Sequence, residues 1–278
     1  MITNLNEVDF SKFEVFIAES ENLVTDKEAY LTICKSLIEI LKEKELNKVV
    51  LSRLKWADLN QSPIELFKIL NTRYKNTFNY LISIENVGSW LGATPETLVS
   101  INKLKLKTVA LAGTKTVDNQ WTNKELEEQN IVTQYIERSL NQHLQTVEVS
   151  DTITIKAGNV HHLKTEFSGI LKDESDWVKI VKDLHPTPAT CGVPKTESFE
   201  KIKRIEPHNR KFYTGFLGPI SEESKQLFVN LRCMEIQENG ALLYLGGGIT
   251  AKSNADSEWN ETEKKAETLL SIINTDFK

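Results

Sequence analysis

Residues 78–112 read FNYLISIENVGSWLGATPETLVSINKLKLKTVALA. Short apolar and β-branched runs follow one another here, separated only by turn residues such as Glu85-Asn86 and Asn102-Lys103. No part of the stretch has the length and 3.6-residue period of a helix. The spacing predicts four successive strands, near 78–85, 89–93, 96–102 and 105–112. Strands joined this closely pair antiparallel, because a parallel pair needs a crossover of about a dozen residues or more. The segment INKLKLKTVAL (101–111) alternates cleanly, so one face of that strand is expected to be wet.

The same pattern continues outward. Leu31, Ile33, Leu37, Ile38 and Leu41 recur at helical spacing within 27–46, and KVVLSRL (48–54) reads as a buried strand. Ser62 and Pro63 are a cap and first-turn pair for a short helix at 63–71. Further helices are expected at 122–144, 175–183, 195–203 and 256–275. Further strands are expected near 146–156, 159–171, 211–219, 225–236 and 241–250. Strands arriving in runs, without alternating helices, predict an α+β fold with antiparallel sheets. No repeat, low-complexity tract or linker interrupts the 278 residues, so 1–278 reads as one domain.

Composition excludes several functions. At 40% hydrophobic and 26% charged, with net charge −5, nothing favours a nucleic-acid or anionic-membrane partner. No apolar run reaches the length of a membrane span. The N-terminal MITNLNEVDFSKFE lacks the basic and apolar regions of a signal peptide. Cys34, Cys191 and Cys233 are odd in number and scattered, which suits free thiols in a reducing cytoplasm.

Residues 244–270, YLGGGITAKSNADSEWNETEKKAETLL, combine a glycine run with a charged helix. Glu258, Glu261 and Lys265 fall within roughly 60° of one another on that helix, at the edge of the stripe Ala266, Leu269, Leu270 and Ile273. Such charges are either a solvated Glu-Lys face or a paired, inward-facing cluster. Glu128 shares a helix face with Ile131, Val132 and Tyr135, so it should point toward the core side, as a structural ion-pair member or a ligand. Lys48 opens KVVLSR and is either a lysine snorkelling from a strand mouth or a desolvated amine able to act as a base. Glu96, in the turn of GATPETL, is either exposed or, if desolvated, holds its proton and serves as a general acid. Arg232 and Tyr213 read as strand residues, the arginine suited to a carboxylate. His162 and His185 read as structural histidines, with no metal or triad spacing.

Nine stretches occur in one order: KVVLSR, GATPETL, ALAGT, KELEEQNIVTQYI, HHLKTEFSG, LHPTPATCGVPK, FYTGFLGPI, LRCMEI and GGGITAKSNADSEWNETEKKA. Each is weak alone. In sequence, from about Lys48 to Leu270, they resemble the chorismate-utilising enzymes: isochorismate, salicylate, anthranilate and aminodeoxychorismate synthases. The resemblance implies antiparallel sheets packed face to face with helices outside. It implies chorismate as the small-molecule substrate and Mg2+ as cofactor. Lys48 matches the lysine that activates water, and Glu96 the acid that protonates the leaving C4 hydroxyl. Glu128 and Glu261 match magnesium ligands, and Glu258 a carboxylate of the same shell. Tyr213, Arg232, Lys265 and the backbone near Gly246 match the grip on the substrate carboxylates, and Gly113 and Thr114 line the same cavity.

Within that family, the lysine at position 48 and the unsubstituted Ala112-Gly113-Thr114 resemble the branch that uses water, not ammonia. The resemblance therefore implies isochorismate synthase, feeding menaquinone or a catechol siderophore. A salicylate synthase shares the lysine, and a chorismate binder without turnover is the alternative from another class. Two departures stand out. Only 47 residues precede KVVLSR, fewer than is usual, and Gln129 stands where many relatives have histidine. The first departure implies an uncovered sheet edge, which the helix at 27–46 is expected to cover, leaving a monomer rather than an edge-paired dimer.

Overall fold

A computed structural model describes residues 8–17, 24–115, 120–157 and 160–274. Two antiparallel sheets form its centre. The first runs in the order β2 (Phe78–Ile84), β3 (Gly88–Thr94), β12 (Cys233–Gln237), β13 (Gly240–Ile249), β1 (Lys48–Asp58) and β9 (Gly192–Val193). The second runs β10 (Phe216–Leu217), β11 (Ser224–Val229), β4 (Thr97–Asn102), β5 (Lys105–Lys115), β8 (Val160–Leu171) and β6 (Leu144–Val149), with β7 (Ile153–Ala157) also on β8. The six α-helices of the described residues are α1 (Lys27–Lys42), α2 (Pro63–Arg73), α3 (Asn123–His143), α4 (Trp177–Leu184), α5 (Lys195–Ile205) and α6 (Ala255–Ile273). The α+β class read from the strand succession holds.

Alternation along the strands sorts side chains to two faces. On the first sheet, Leu91, Met234, Leu243 and Leu245 meet Leu66 and Leu70 of α2 and Ala266 and Leu269 of α6. Nearer β1, Val49, Leu51 and Ile249 meet Leu37 and Leu41 of α1 and Ile202 of α5. Leu54, Trp90, Leu242 and Tyr244 form a separate cluster with Tyr213 and Leu217. Phe78 of β2 stacks on Phe228 of β11 at 4.3 Å, joining the two sheets. The second sheet buries Ala110, Phe167 and Leu171 under Val132, Ile136 and Leu140 of α3 and Ile180 of α4. α1 thus covers a sheet face, over β1 and β13, rather than an open edge.

The two sheets are continuous at one place. β3 pairs with β12 in the first sheet, and β4 with β11 in the second. β3 leads into β4 through Pro95 and Glu96, and β11 leads into β12 through Asn230, Leu231 and Arg232. A two-stranded ribbon therefore passes from one sheet to the other. Its strands stay stitched through the bend: Val229 N–H donates to Glu96 O at 2.9 Å, and Ala93 N–H to Arg232 O at 3.1 Å. Thr94 Oγ1 adds a bond to Val229 O at 2.6 Å.

This crossing corrects two expectations. The strand expected at 225–236 is two strands in different sheets, broken where Arg232 takes the left-handed backbone at φ 49°. The strand expected at 211–219 is mostly turn, since Lys211 and Thr214 have φ of 47° and 63°, and only Phe216–Leu217 pairs. Arg232 and Tyr213 are accordingly not strand residues. Glu96 lies buried in the passage between sheets, which selects the desolvated one of its two sequence alternatives. Among the described residues, no helix is long and apolar enough to cross a membrane.

Leu269 is fully buried between α6 and the first sheet. Leu269→Ala is expected to lower stability by about 2–5 kcal/mol through lost burial and a residual cavity. Urea unfolding measures it, and a loss below about 1 kcal/mol would contradict this packing.

Candidate active site

Where the ribbon crosses, two strands lose a neighbour. β12 begins at Cys233 opposite Tyr244, so residues 245–249 of β13 have no strand on that side among the described residues. β4 pairs with β5 only at Lys105–Lys107, so the later part of β5 is open likewise. The two open edges face one cavity, lined by Leu245–Gly248 from β13 and by Leu111, Ala112 and Gly113 from β5. Glu96 and Arg232 from the crossing, Tyr213 from the turn before β10, Glu128 from α3, and Glu261 and Lys265 from α6 also line it.

The glycine run has a steric cause. A Cβ at Gly246 would stand 2.7 Å from Tyr213 Oη. At Gly247 it would stand 3.3 Å from Glu258 Oε2 and 3.9 Å from Glu261 Oε1. At Gly248 it would lie 2.6 Å from both Glu128 Oε1 and Lys48 Cε. Bare backbone is what allows these charged groups to approach the strand from both sides.

α6 starts at Asn254, whose side chain accepts from Ser257 N–H, and its stripe of Ala266, Leu269 and Ile273 fixes its rotation on the sheet. That rotation puts Glu258 inside, at 2% exposure, with Glu261 and Lys265 at the cavity. Lys265 Nζ donates to Glu261 Oε1 at 2.7 Å and to Gly246 O at 2.9 Å, occupying one carbonyl of the β13 edge. The trio is therefore the paired, inward-facing cluster and not a solvated face.

On the other side, β5 carries a bulge between Ala112 and Thr114 against β8. Gly113 takes φ 63° there, and a Cβ on it would come within 2.9 Å of Glu125 O in the first turn of α3. Glycine at this bulge lets the helix close on the strand. Thr114 follows, opposite His162 in the register. The inward stripe of α3 starts at Gln129 and continues through Val132, Ile136 and Leu140, one position on from the face expected from Glu128. Glu128 flanks that stripe and accepts from Lys48 Nζ at 2.7 Å. Lys48 is 1% exposed and stands behind Glu128 rather than in the cavity wall.

Tyr213 is set by Asn230. Thr214 N–H donates to Asn230 O at 2.9 Å, Asn230 N–H to Gly215 O at 2.7 Å, and Asn230 Nδ2 to Phe212 O at 2.8 Å. Burial holds the Tyr213 phenol protonated by pushing its pKa up. Arg232 Nη1 donates to Thr268 Oγ1 at 2.8 Å, and Arg232 makes no salt bridge among the described residues. Burial raises Glu96 to a pKa of about 7, against the opposing pull of Lys48 and Lys265. Glu96 is thus the desolvated acid of the two sequence alternatives.

Sequence reasoning missed His162 as a site residue. It is buried in the cavity wall, and burial, with Arg232 and Lys265 nearby, lowers its pKa to about 3. Nδ1 donates to Gly113 O at 3.3 Å, so the neutral ring carries its proton there. Its place within HHLKTEFSG was the available signal. Thr190 of LHPTPATCGVPK also lines the cavity, and no spacing rule marked it.

Among the described residues no three His, Cys, Asp or Glu side chains come together as a self-sufficient metal cage. Glu128 and Glu261 both line the cavity, Glu261 toward Gly247 and Glu128 toward Gly248, and both are hard oxygen donors. That set fits a cation such as magnesium, which commonly takes one or two protein carboxylates and completes its shell with water and substrate. The remaining wall, with Arg232 and Lys265 beside a protonated Glu96, suits a small molecule bearing carboxylates and a leaving hydroxyl.

Known proteins share this fold. The chain is 32% identical to isochorismate synthase 2, chloroplastic, of Arabidopsis thaliana, over 90% of its own length and 48% of that protein's. It is similar to the solved structure of MenF, the menaquinone-specific isochorismate synthase of Escherichia coli, with TM-score 0.82 and 26% identity, covering 96% of this chain and 66% of that one. Anthranilate synthase component I of Streptococcus pneumoniae shares the fold, at TM-score 0.79 and 21% identity over 88% of this chain and 58% of that one. The chain thus spans about half the length of the plant relative and about two thirds of MenF. A family model described as "Chorismate binding enzyme" matches residues 4–274, and with the nine ordered stretches folded around one cavity, the chain belongs to the chorismate-binding enzyme family.

Proposed function

We propose that this chain is an isochorismate synthase, adding water at C2 of chorismate with loss of the C4 hydroxyl. One water enters and one leaves, so no co-substrate is consumed. The observation that carries the reading is Glu96, a buried acid with a pKa of about 7 in a wall that also presents Arg232 and Lys265. Arg232, Lys265, Tyr213 and the open backbone at Gly246 hold the substrate carboxylates, and Gly113 and Thr114 border the ring. Glu96 then gives its proton to the departing C4 hydroxyl. Lys48 takes a proton from the attacking water, which requires that Glu128 first move off its Nζ. Glu128 and Glu261 would hold magnesium, with Glu258 behind them. When bound, the ion supplies positive charge beside a substrate carboxylate.

The names of the relatives support isochorismate as the product, and Lys48 supports water as the nucleophile. Isochorismate from this chain would enter menaquinone or catechol siderophore synthesis. Cys34, Cys191 and Cys233 are buried and form no disulfide among the described residues, which supports a reducing cytoplasm.

Incubation with chorismate and magnesium, followed by chromatography, tests the reading. Isochorismate is expected. Salicylate with pyruvate would make the chain a salicylate synthase, and bound but unchanged chorismate would make it a binder.

Lys48→Ala is expected to reduce turnover by at least about 100-fold while chorismate still binds. Near-normal turnover would remove Lys48 from the mechanism. Because Glu96 acts protonated, kcat should fall on the alkaline side as pH rises through about 7. Glu96→Gln should abolish that limb along with most of the activity; a wild-type profile in this variant would contradict the assignment. EDTA should stop the reaction and added magnesium restore it, and full activity after thorough metal stripping would refute the magnesium role.

A further inference from the structure

Just before its bulge, the β5 backbone is tied to α3 on the side that faces β8. Ala112 N–H donates to Gln129 Oε1 at 2.9 Å, and Gln129 Nε2 donates to Ala110 O at 3.2 Å. One carboxamide thus accepts from residue 112 and donates to residue 110, as a peptide group of a paired strand would. The same Nε2 donates to Thr165 Oγ1 at 2.9 Å on β8, with a longer contact of 3.5 Å to Thr133 Oγ1.

Gln129 is 3% exposed and occupies the first core position of α3, ahead of Val132, Ile136 and Leu140. An apolar residue would fill such a position without need of partners. The amide has a directional function that a hydrocarbon lacks, because its bonds fix both the height and the rotation of the helix against β5. Glu128 is the next residue back, so any turn of α3 moves its carboxylate relative to Lys48.

We propose that Gln129 is a positioning residue: its carboxamide ties α3 to Ala110 and Ala112 of β5 and to Thr165 of β8, and thereby sets where α3 presents Glu128. The proposal rests on the function given above only for the role of Glu128. Loosening Gln129 leaves the fold in place and misdirects one carboxylate.

Gln129→Leu removes the bonds and keeps the bulk; Gln129→Met, of matching length, replaces it if the leucine variant does not fold. Val132→Ala is the control for stability alone. Amide exchange at Ala112, the Glu128 Oε1–Lys48 Nζ separation in a crystal structure, and magnesium titration by calorimetry are measured for each. In the Gln129 variant, exchange at Ala112 should speed up at least about 10-fold, the 2.7 Å contact should open, and magnesium should bind about 10-fold or more weakly. Val132→Ala should lower the unfolding midpoint and leave all three unchanged. Unmoved Glu128 with unaltered magnesium affinity would overturn the proposal, even if Ala112 exchanges faster. If the wild-type protein binds no magnesium, the metal role fails, and the Glu128–Lys48 separation alone decides for Gln129.

Discussion

Crossing from one sheet to another leaves strand edges without neighbours, and this chain puts its chemistry at those edges. A buried N–H or C=O without a partner costs roughly as much as a lost hydrogen bond. The edges of β13 and β5 must therefore be answered by side chains or by a ligand. Lys265 answers Gly246 O at the β13 edge, His162 meets Gly113 O at the β5 bulge, and Gln129 binds Ala110 O and Ala112 N–H on the side facing β8. Each answering side chain sits on a different element, so the cavity ties α6, β8 and α3 to the same seam. The glycine run follows from this constraint, because side chains on the β13 edge would exclude the groups that serve it.

The charges around the seam are nearly self-compensating. Lys48 pairs with Glu128 and Lys265 with Glu261, each at 2.7 Å. Taking such ions from water costs several kcal/mol apiece before their mutual attraction is counted, so an arrangement this dense favours function over stability. Under the proposed function, exchanging internal partners for substrate carboxylates and a cation would let binding proceed without leaving any charge alone in the interior. Glu96 stands apart from this balance. It is neutral for about half of the molecules near pH 7, and the environment that makes it so is the crossing itself, where both strands of the ribbon shield it.

Much of this was legible in the sequence, for identifiable reasons. Strand runs such as 78–112 carry period-two patterning and turn residues, which are local signals, and they survive in the fold. The charged face of 256–275 was visible as a geometric oddity, with Glu258, Glu261 and Lys265 against an apolar stripe. What was not legible depends on contacts distant in the chain. Arg232 sits between Leu231 and Cys233 in a stretch that carries no turn glycine or proline, and nothing local says that β11 and β12 belong to different sheets. Tyr213 looked like a strand residue because Phe212, Tyr213 and Phe216 favour strands, while tertiary bonds to Asn230 hold the segment as a turn. His162 and Gln129 have no pattern of their own; their partners on β5 lie dozens of residues or one helix away. The ordered motifs, not periodicity, pointed to the cavity as a whole.

The central claim is that bare backbone at the β13 edge permits the charged groups to meet. Gly248→Ala tests it most directly, because the added methyl would stand 2.6 Å from Glu128 Oε1 and from Lys48 Cε. Chorismate turnover is measured with circular dichroism as the check on folding. The expected result is a folded protein whose turnover falls by about 100-fold or more, as displacement by about an ångström allows. A folded variant that turns over chorismate at the wild-type rate would contradict the account.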